Sequence, residues 1–385
     1  MDVGALADAA SAELAEGAAA DAVDWLESLV APGRADIRTW LELARARAAL
    51  GDEAGEKAAI DQAAVLRPND LSVLIAQGDY FGRAGNERAA AAHYRMALRY
   101  MPHYRELPPQ LQEGLQRAKA AEERVARALE EFVRDRLDAS GLGAGGAPAR
   151  FSRAVDVLLG KKRAYLQEPR FFYYPELAPI QFYERNALPW LDAVEEAFET
   201  VRAELRAVRT GAFSPYVTRT LGRPQSGESG MLNNPDWSAY FLYKNGAQHD
   251  GAQHCPGAMA ALAEAPLTRI PGRAPSILFS KLAAGAHIPP HNGMLNARLI
   301  CHLPLIVPAG CEFRVGNDVR AWEEGRAWAF DDTIEHEARN PSAEDRYILI
   351  FDVWRPELSE AERAGIVALC EAIDSYAGAP MSWDN

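Results

Sequence analysis

The chain is short of cysteine, of long apolar runs and of positive charge, and each shortage removes a class of function. Its four cysteines, Cys255, Cys301, Cys311 and Cys370, lie far apart and form no CxxC pair. Neither a disulfide framework nor a zinc knuckle is indicated. No apolar stretch approaches the roughly 20 residues that a membrane helix needs, so no membrane span is expected. The opening residues, MDVGALADAASAELAEG, are acidic where a secretory leader is basic, and a cytoplasmic location is the simplest expectation. With 54 acidic residues against 41 basic ones the net charge is −13, which argues against a nucleic-acid partner, since such binding depends on clustered Lys and Arg. What is present is ordinary globular composition over 385 residues, enough for two or three domains.

The first hundred residues repeat. Gly17, Gly51 and Gly85 are spaced by 34, as are Pro68 and Pro102. One copy carries Gly78, Gly85, Ala90, Tyr94, Ala97 and Pro102, and the preceding copy carries Trp40, Leu43, Gly51, Ala63 and Pro68 at equivalent places. This phase resembles the tetratricopeptide repeat, a helix-turn-helix unit in which small residues let paired helices approach closely. Glu56 stands where that pattern has a small residue. From about 106 to 139 a charged helical pattern follows, and then GLGAGGAPAR, residues 141 to 150. Its Gly141, Gly143 and Gly146 formally spell a dinucleotide fingerprint, but that motif needs a strand before it, and here a helix precedes. A flexible hinge is the better reading.

After residue 170 the texture changes. Aromatics and prolines crowd FFYYPELAPIQFYERNALPWL, and DAVEEAFETVRAELRAV reads as one long helix. From Trp237 onward short β-rich runs alternate with turns: WSAYFLYKNG, SILFSKLAAG, ARLICHLPLIV, CEFRVGN, RAWAFDD and YILIFDVW. Such spacing predicts a sandwich or barrel. The expected division is helical repeats over 1–105, a helical linker with a glycine-rich hinge over 106–170, and a β-domain over 171–385.

The chemistry gathers in HIPPHNGMLNARLICH, residues 287 to 302, with three histidines and one arginine. The His287-x-x-x-His291 spacing would suit a zinc-binding helix, but Pro289 and Pro290 forbid the helix. An acid is also lacking, because the His-x-Asp/Glu pattern of many iron sites here reads His291, Asn292, Gly293. Taken as a strand, NARLICHLPLIV puts Asn296, Arg298, Ile300 and His302 on one face and an apolar set, Ala297, Leu299, Cys301, Leu303 and Leu305, on the other. His336 stands at a strand end 45 residues beyond His291, and Arg346 follows ten residues later, where a hairpin would return it beside His336. A buried arginine is costly unless it holds an anion.

This set resembles the iron(II)- and 2-oxoglutarate-dependent dioxygenases. HIPPHNGMLNARLICHLPL, CEFRVGNDVRAWEEGRAWAFDDTIEHEARN and RYILIFDVWRPELS are similar to the aspartyl/asparaginyl β-hydroxylase family, across roughly residues 171 to 360. The resemblance implies a double-stranded β-helix of jelly-roll type as the catalytic domain, behind tetratricopeptide-like repeats. It implies Fe(II), 2-oxoglutarate and O2 as cofactor and cosubstrates, with His291 and His336 as the catalytic metal ligands and glycine in the acid's place. It assigns Arg346 and Ser280 to the distal carboxylate of 2-oxoglutarate, and Arg298 and His302 to the other. The family commonly shows Arg-Leu-Arg where this chain has Arg298, Leu299 and Ile300, so one cation is missing. The implied reaction is hydroxylation of an unactivated C–H bond, at the β-carbon of an Asp or Asn residue of a peptide or protein or of a related small molecule, with the repeats offering a docking surface. Three alternatives remain open: a halogenase accepting chloride beside Gly293, a lipid or free amino acid hydroxylase, and a non-catalytic adaptor with a ligand-sensing β-domain. Of the remaining residues, His287 reads as structural, His249 and His254 as solvent-facing, Asp331 and Asp332 as turn or strand-end residues, and Glu335 as a candidate surrogate carboxylate.

Overall fold

The computed structural model describes residues 19–30, 35–103, 106–143, 145–208, 210–218 and 230–377. Gly17, the first glycine of the repeat phase, lies outside the described residues. The chain divides into two compact units that meet at Lys161 and Lys162. The sequence's linker stretch is therefore shared between them.

In the first unit the 34-residue phase is visible in how helices start. Helices α1 (Ala19–Val30), α2 (Ile37–Ala49), α3 (Glu53–Leu66), α4 (Leu71–Arg83) and α5 (Glu87–Tyr100) follow one another in antiparallel pairs. Asp36, Asp52, Asp70 and Asn86 each accept a bond from a backbone N–H of the first turn that follows, at 2.8, 2.9, 2.9 and 3.1 Å. These side chains satisfy N–H groups that a helix start leaves without partners. Between paired helices Gly51 and Gly85 both take φ +73°, a left-handed turn that suits glycine. A Cβ on Gly78 would lie 2.4 Å from the Tyr94 ring, so the close approach of α4 and α5 depends on that glycine. Glu56, the departure from the small-residue pattern, is buried and ion-paired to Arg83. Helix α6 (Pro109–Ala139) continues the stack, its Arg117 bonding Asp79 at 2.7 Å, and α7 (Ala149–Leu158) follows the glycine turn. These are tetratricopeptide-like helix pairs.

The second unit is a sandwich of two antiparallel sheets. Among the described residues the larger sheet runs β1 (Ser214–Pro215), β2 (Trp237–Lys244), β4 (Ile277–Leu282), β11 (Arg346–Trp354), β6 (Arg298–Ile306) and β9 (Trp328–Phe330), with β3 (Ala247–Gln248) paired to β2. The smaller runs β5 (His287–His291), β10 (His336–Arg339), β7 (Glu312–Val315) and β8 (Asp318–Ala321). This is the jelly-roll class expected. The alternation predicted for the Arg298 strand is present, since Leu299, Cys301, Leu303 and Leu305 join Phe279, Leu349 and Phe351 in one core. Helices Leu191–Glu196, Phe198–Ala207 and Pro256–Ala261 cover that face. The segment read as one long helix is thus two, meeting at Ala197. The opposite face of the large sheet looks toward the small one, across Phe182, Leu282, Ile288, Phe313, Phe330 and Ile348.

Two strands carry no ordinary strand signal. HIPPH is strand β5, and its prolines are tolerated because β5 is the edge of its sheet. His336 is the first residue of β10, at a strand end as the pattern reading has it, although the strand itself, His336–Arg339, is charged and short. The return from β10 to β11 is also not a hairpin. The chain crosses from the small sheet to the large one over residues 340–345, where the buried Asn340 amide donates to the carbonyls of Leu282, Ala283 and Glu344.

Candidate functional site

A cavity of about 1080 Å³ opens between the sheets of the second unit. Ser280, His291, Arg298, His302, His336 and Arg346 all line it. Their grouping follows from strand alternation. On β11 the residues Arg346, Ile348, Ile350 and Asp352 face the cavity, and on β6 Arg298, Ile300 and His302 do so.

His291 and His336 sit directly opposite each other in the β5–β10 pairing. Their ring centroids are 4.1 Å apart with the planes at 51°. Each Nδ1 lies against a backbone carbonyl, His291 on Pro289 at 2.8 Å and His336 on Ile334 at 3.1 Å. A carbonyl can only accept, so both Nδ1 atoms carry the proton and both Nε2 lone pairs are left for another partner. That second-atom bond is the usual way a metal-binding imidazole is oriented. Burial pushes the His291 pKa down to about 3, with the neighbouring His336 adding to the effect, and burial takes His336 to about 4. Both are neutral at pH 7, which is the form that binds a metal. Among the described residues no group of three or more His, Cys, Asp or Glu side chains is placed to hold a metal, so the chain offers a two-imidazole donor set here.

The acid missing at position 293 has a structural counterpart. A Cβ on Gly293 would fall 2.0 Å from a carboxylate oxygen of Asp332. The Gly293 N–H also donates to the Asp332 carbonyl at 2.6 Å. Asp332 thus occupies the space that a side chain at 293 would need. Its Oδ2 accepts from Arg298 at 3.2 Å, whereas its buried Oδ1 has no partner. Arg298 also reaches Asp352 at 3.4 Å. Arg298 was expected to meet a cosubstrate carboxylate; in the structure two buried aspartates already hold it. Burial raises the Asp352 pKa to about 6 against the pull of Arg298.

At the other end of β11 the charge balance reverses. Arg346 is 1% exposed, and its Nε and one terminal nitrogen have no hydrogen-bond partner. Its guanidinium lies over the Trp322 ring, 4.7 Å from the centroid. Burial without a counter-charge takes its pKa down to about 10. A cation desolvated in this way is stabilised by an entering anion. Ser280 is fully buried on β4, two strand positions from Leu282, the residue paired with Arg346. Trp237 Nε1 donates to Ser280 Oγ at 3.2 Å, so the hydroxyl proton is free to be given elsewhere. On β6, Trp322 Nε1 donates to His302 Nδ1 at 3.3 Å. Indole nitrogen can only donate, so His302 carries its proton on Nε2, and burial with Arg346 nearby keeps the ring neutral. The cavity therefore holds an unpaired guanidinium, a hydroxyl and an imidazole N–H, the donors that a small dianion needs.

Other candidates fall outside. His287 bonds Glu337 at 2.7 Å in an ion cluster with Arg314 and Arg339. Glu335 pairs with Arg314 at 2.8 Å, which removes it as a stand-in carboxylate. His249 and His254 are exposed. The pattern reading missed Asp332, Asp352 and Trp237 as cavity residues, and Trp322 as the partner of His302 and Arg346. For Asp332 the only hint was its place four residues before His336, and nothing local marked the other three.

Known proteins resemble the part of the chain that builds this cavity. Residues 195–356 match the model of the Aspartyl/Asparaginyl beta-hydroxylase family. The chain is 39% identical over 145 residues to the Mus musculus aspartyl/asparaginyl beta-hydroxylase, covering 37% of this chain and 19% of that protein. It is 30% identical over 212 residues to Homo sapiens aspartate beta-hydroxylase domain-containing protein 2, covering 53% of this chain and 55% of that one. Ornithine lipid ester-linked acyl 2-hydroxylase of Rhizobium tropici is 31% identical over 192 residues, 49% of this chain and 65% of that protein. The chain thus spans about a fifth to under two thirds of the length of these relatives.

Proposed function

We propose that the protein is an Fe(II)- and 2-oxoglutarate-dependent hydroxylase of the aspartyl/asparaginyl β-hydroxylase family, a reading supported by the match of residues 195–356 to that family and by the similarity to its relatives. The observation that carries the reading is the cross-strand pair His291 and His336, with both Nδ1 atoms bonded to carbonyls, which puts the lone pair of each ring on Nε2. These two would hold the ferrous ion. When bound, that ion together with 2-oxoglutarate and O2 would supply the oxidising chemistry that places a hydroxyl on an unactivated C–H bond. Arg346 and the Ser280 hydroxyl would grip the distal carboxylate of 2-oxoglutarate, a charge-assisted contact worth about 1.5–3 kcal/mol. His302 would give its Nε2 proton to the other carboxylate. Arg298 is proposed to act on that end mainly by fixing Asp332 beside the imidazole pair. The apolar walls keep water from the reacting carbon.

The substrate proposed is a peptide or protein bearing an Asp or Asn side chain, with the repeat unit as a docking surface for it or for a separate partner. The Rhizobium relative is named for an ester-linked acyl chain, and the apolar cavity wall of Leu278, Ile300 and Ile350 favours an acyl chain as the second reading. No described helix is long and apolar enough to cross a membrane.

Incubation with Fe(II), 2-oxoglutarate and O2 against peptides, amino acids and acyl chains is expected to give oxygen-dependent succinate. His291→Ala and His336→Ala should each abolish it. Succinate release unaffected by either substitution would overturn the metal assignment, and no release on any substrate would favour the adaptor. A chlorinated product formed only with chloride present would replace hydroxylation by halogenation.

A further inference from the structure

The cavity floor is electrically lopsided along one strand. Arg346 and Asp352 both face inward from β11 and are six residues apart, about 20 Å at strand spacing. Between them lie Ile348 and Ile350. Across the sheet Ile350 is paired with Leu278 on one side and His302 on the other, and Asp352 is paired with Ile300. One end thus offers a buried guanidinium that no carboxylate answers among the described residues. The other end offers a guanidinium, Arg298, shared by two buried carboxylates, Asp332 at 3.2 Å and Asp352 at 3.4 Å. The floor leading to it is Leu278, Ile350 and Ile300. At the rim Glu168 and Arg170 are exposed and opposite in sign, so they leave this imbalance unchanged.

If 2-oxoglutarate is gripped at the Arg346 end, as proposed above, the substrate is left with the Arg298 end. Arg298 is not a free receptor there. Its charge is exceeded by the aspartates it holds, and a third carboxylate would meet two like charges in a low-dielectric site, where such an encounter is strongly unfavourable. Asp352 is further tied to the backbone, accepting from the Ser276 N–H at 2.6 Å, so it cannot easily swing away. We infer that this end of the cavity receives an uncharged group, an amide or an aliphatic segment, and rejects a carboxylate. Within the proposed family of substrates this selects an asparaginyl or acyl group over an aspartyl one. Ile300 is the specificity-determining position, because it faces the cavity directly opposite Asp352, where a longer cationic side chain would rebalance the cluster.

The test uses isobutyrate and isobutyramide, a pair alike in shape and different in charge, titrated calorimetrically into the full chain. One arm is the wild type loaded with Mn(II) and 2-oxoglutarate. The other is Arg346→Met without either, in which Arg298 is the buried cavity guanidinium left among the described residues. That second arm reports on Arg298 even if the metal and cosubstrate assignment fails, and absence of 2-oxoglutarate binding in the first arm would identify that separate failure. In both arms isobutyrate is expected to bind no tighter than isobutyramide. Adding Ile300→Arg should raise isobutyrate affinity by about tenfold or more, the scale of one charge-assisted contact, with a further rise on adding Asp352→Asn. Isobutyrate preferred over isobutyramide while Ile300 is intact would overturn the inference. So would an Ile300→Arg protein, folded by its melting transition, in which isobutyrate binding does not improve.

Discussion

A glycine makes room in both units, and the two cases teach different lessons. In the repeats, Gly78 admits the Tyr94 ring, an uncharged filler that joins two helices. In the sandwich, Gly293 admits the Asp332 carboxylate, a charge that arranges a site. The buried charges differ in the same way. Glu56 of the repeats is answered by Arg83, whereas among the described residues no carboxylate pairs with Arg346 of the sandwich. The first unit spends its sequence on satisfying itself. The second leaves specific groups unsatisfied, and it is there that a ligand can be bound.

The contrast breaks most visibly at Arg346. Arg346→Met should weaken 2-oxoglutarate binding roughly 10- to 100-fold, the loss of a charge-assisted pair, while raising the melting temperature of the ligand-free protein, because an unpaired buried cation has been removed. Calorimetry and a thermal melt on the same sample check both signs. A weaker-binding variant that is also less stable would mean that Arg346 is structural.

At the glycines the two units should respond differently to the same added methyl group. Gly293→Ala must displace a short, anchored carboxylate, and a cost of about 2–3 kcal/mol is expected from strain and a disturbed buried ion pair, together with weaker Mn(II) binding. Gly78→Ala should cost about 1–3 kcal/mol from overpacking against Tyr94 with no change in Mn(II) or 2-oxoglutarate affinity. Denaturant titration with a metal-binding assay separates them.

The smallest effect is in pH. An unfolded imidazole titrates near 6.5, whereas burial holds His291 and His336 at about 3 and about 4 in the folded chain. Between about pH 6.5 and 4 the unfolded state therefore binds protons that the folded state refuses, and stability should fall as pH is lowered through that window. The metal-free His291→Gln/His336→Gln protein should show a flatter slope over the same range in denaturant melts. An equal slope would mean that other groups set the acid sensitivity.

The sequence was most readable where structure is local or periodic. The repeat phase stood in Gly51, Gly85, Pro68 and Pro102, and the caps Asp36, Asp52, Asp70 and Asn86 carry the same interval. The Arg298 strand divided its faces by simple alternation. Readings failed where a choice depended on something far along the chain. HIPPH is excluded as a helix by its prolines, but that it is a strand follows only from its position at a sheet edge. The segment after His336 has hairpin length but crosses between sheets. Asp352 looks like a polar interruption in YILIFDVW until it is found opposite Ile300 and against Arg298.

Taken alone, the order of residues determined that helical repeats precede a β-sandwich, because periodicity and capping act over a few neighbours. It also determined that an imidazole at 291 lacks an acid two places on. Only the tertiary structure decided which groups meet: His291 opposite His336, Asp332 in the space vacated at 293, and Arg298 claimed by two aspartates while Arg346 is claimed by none among the described residues. Charge interactions act through space between strands distant in sequence, and the low dielectric between two sheets makes their presence or absence decisive.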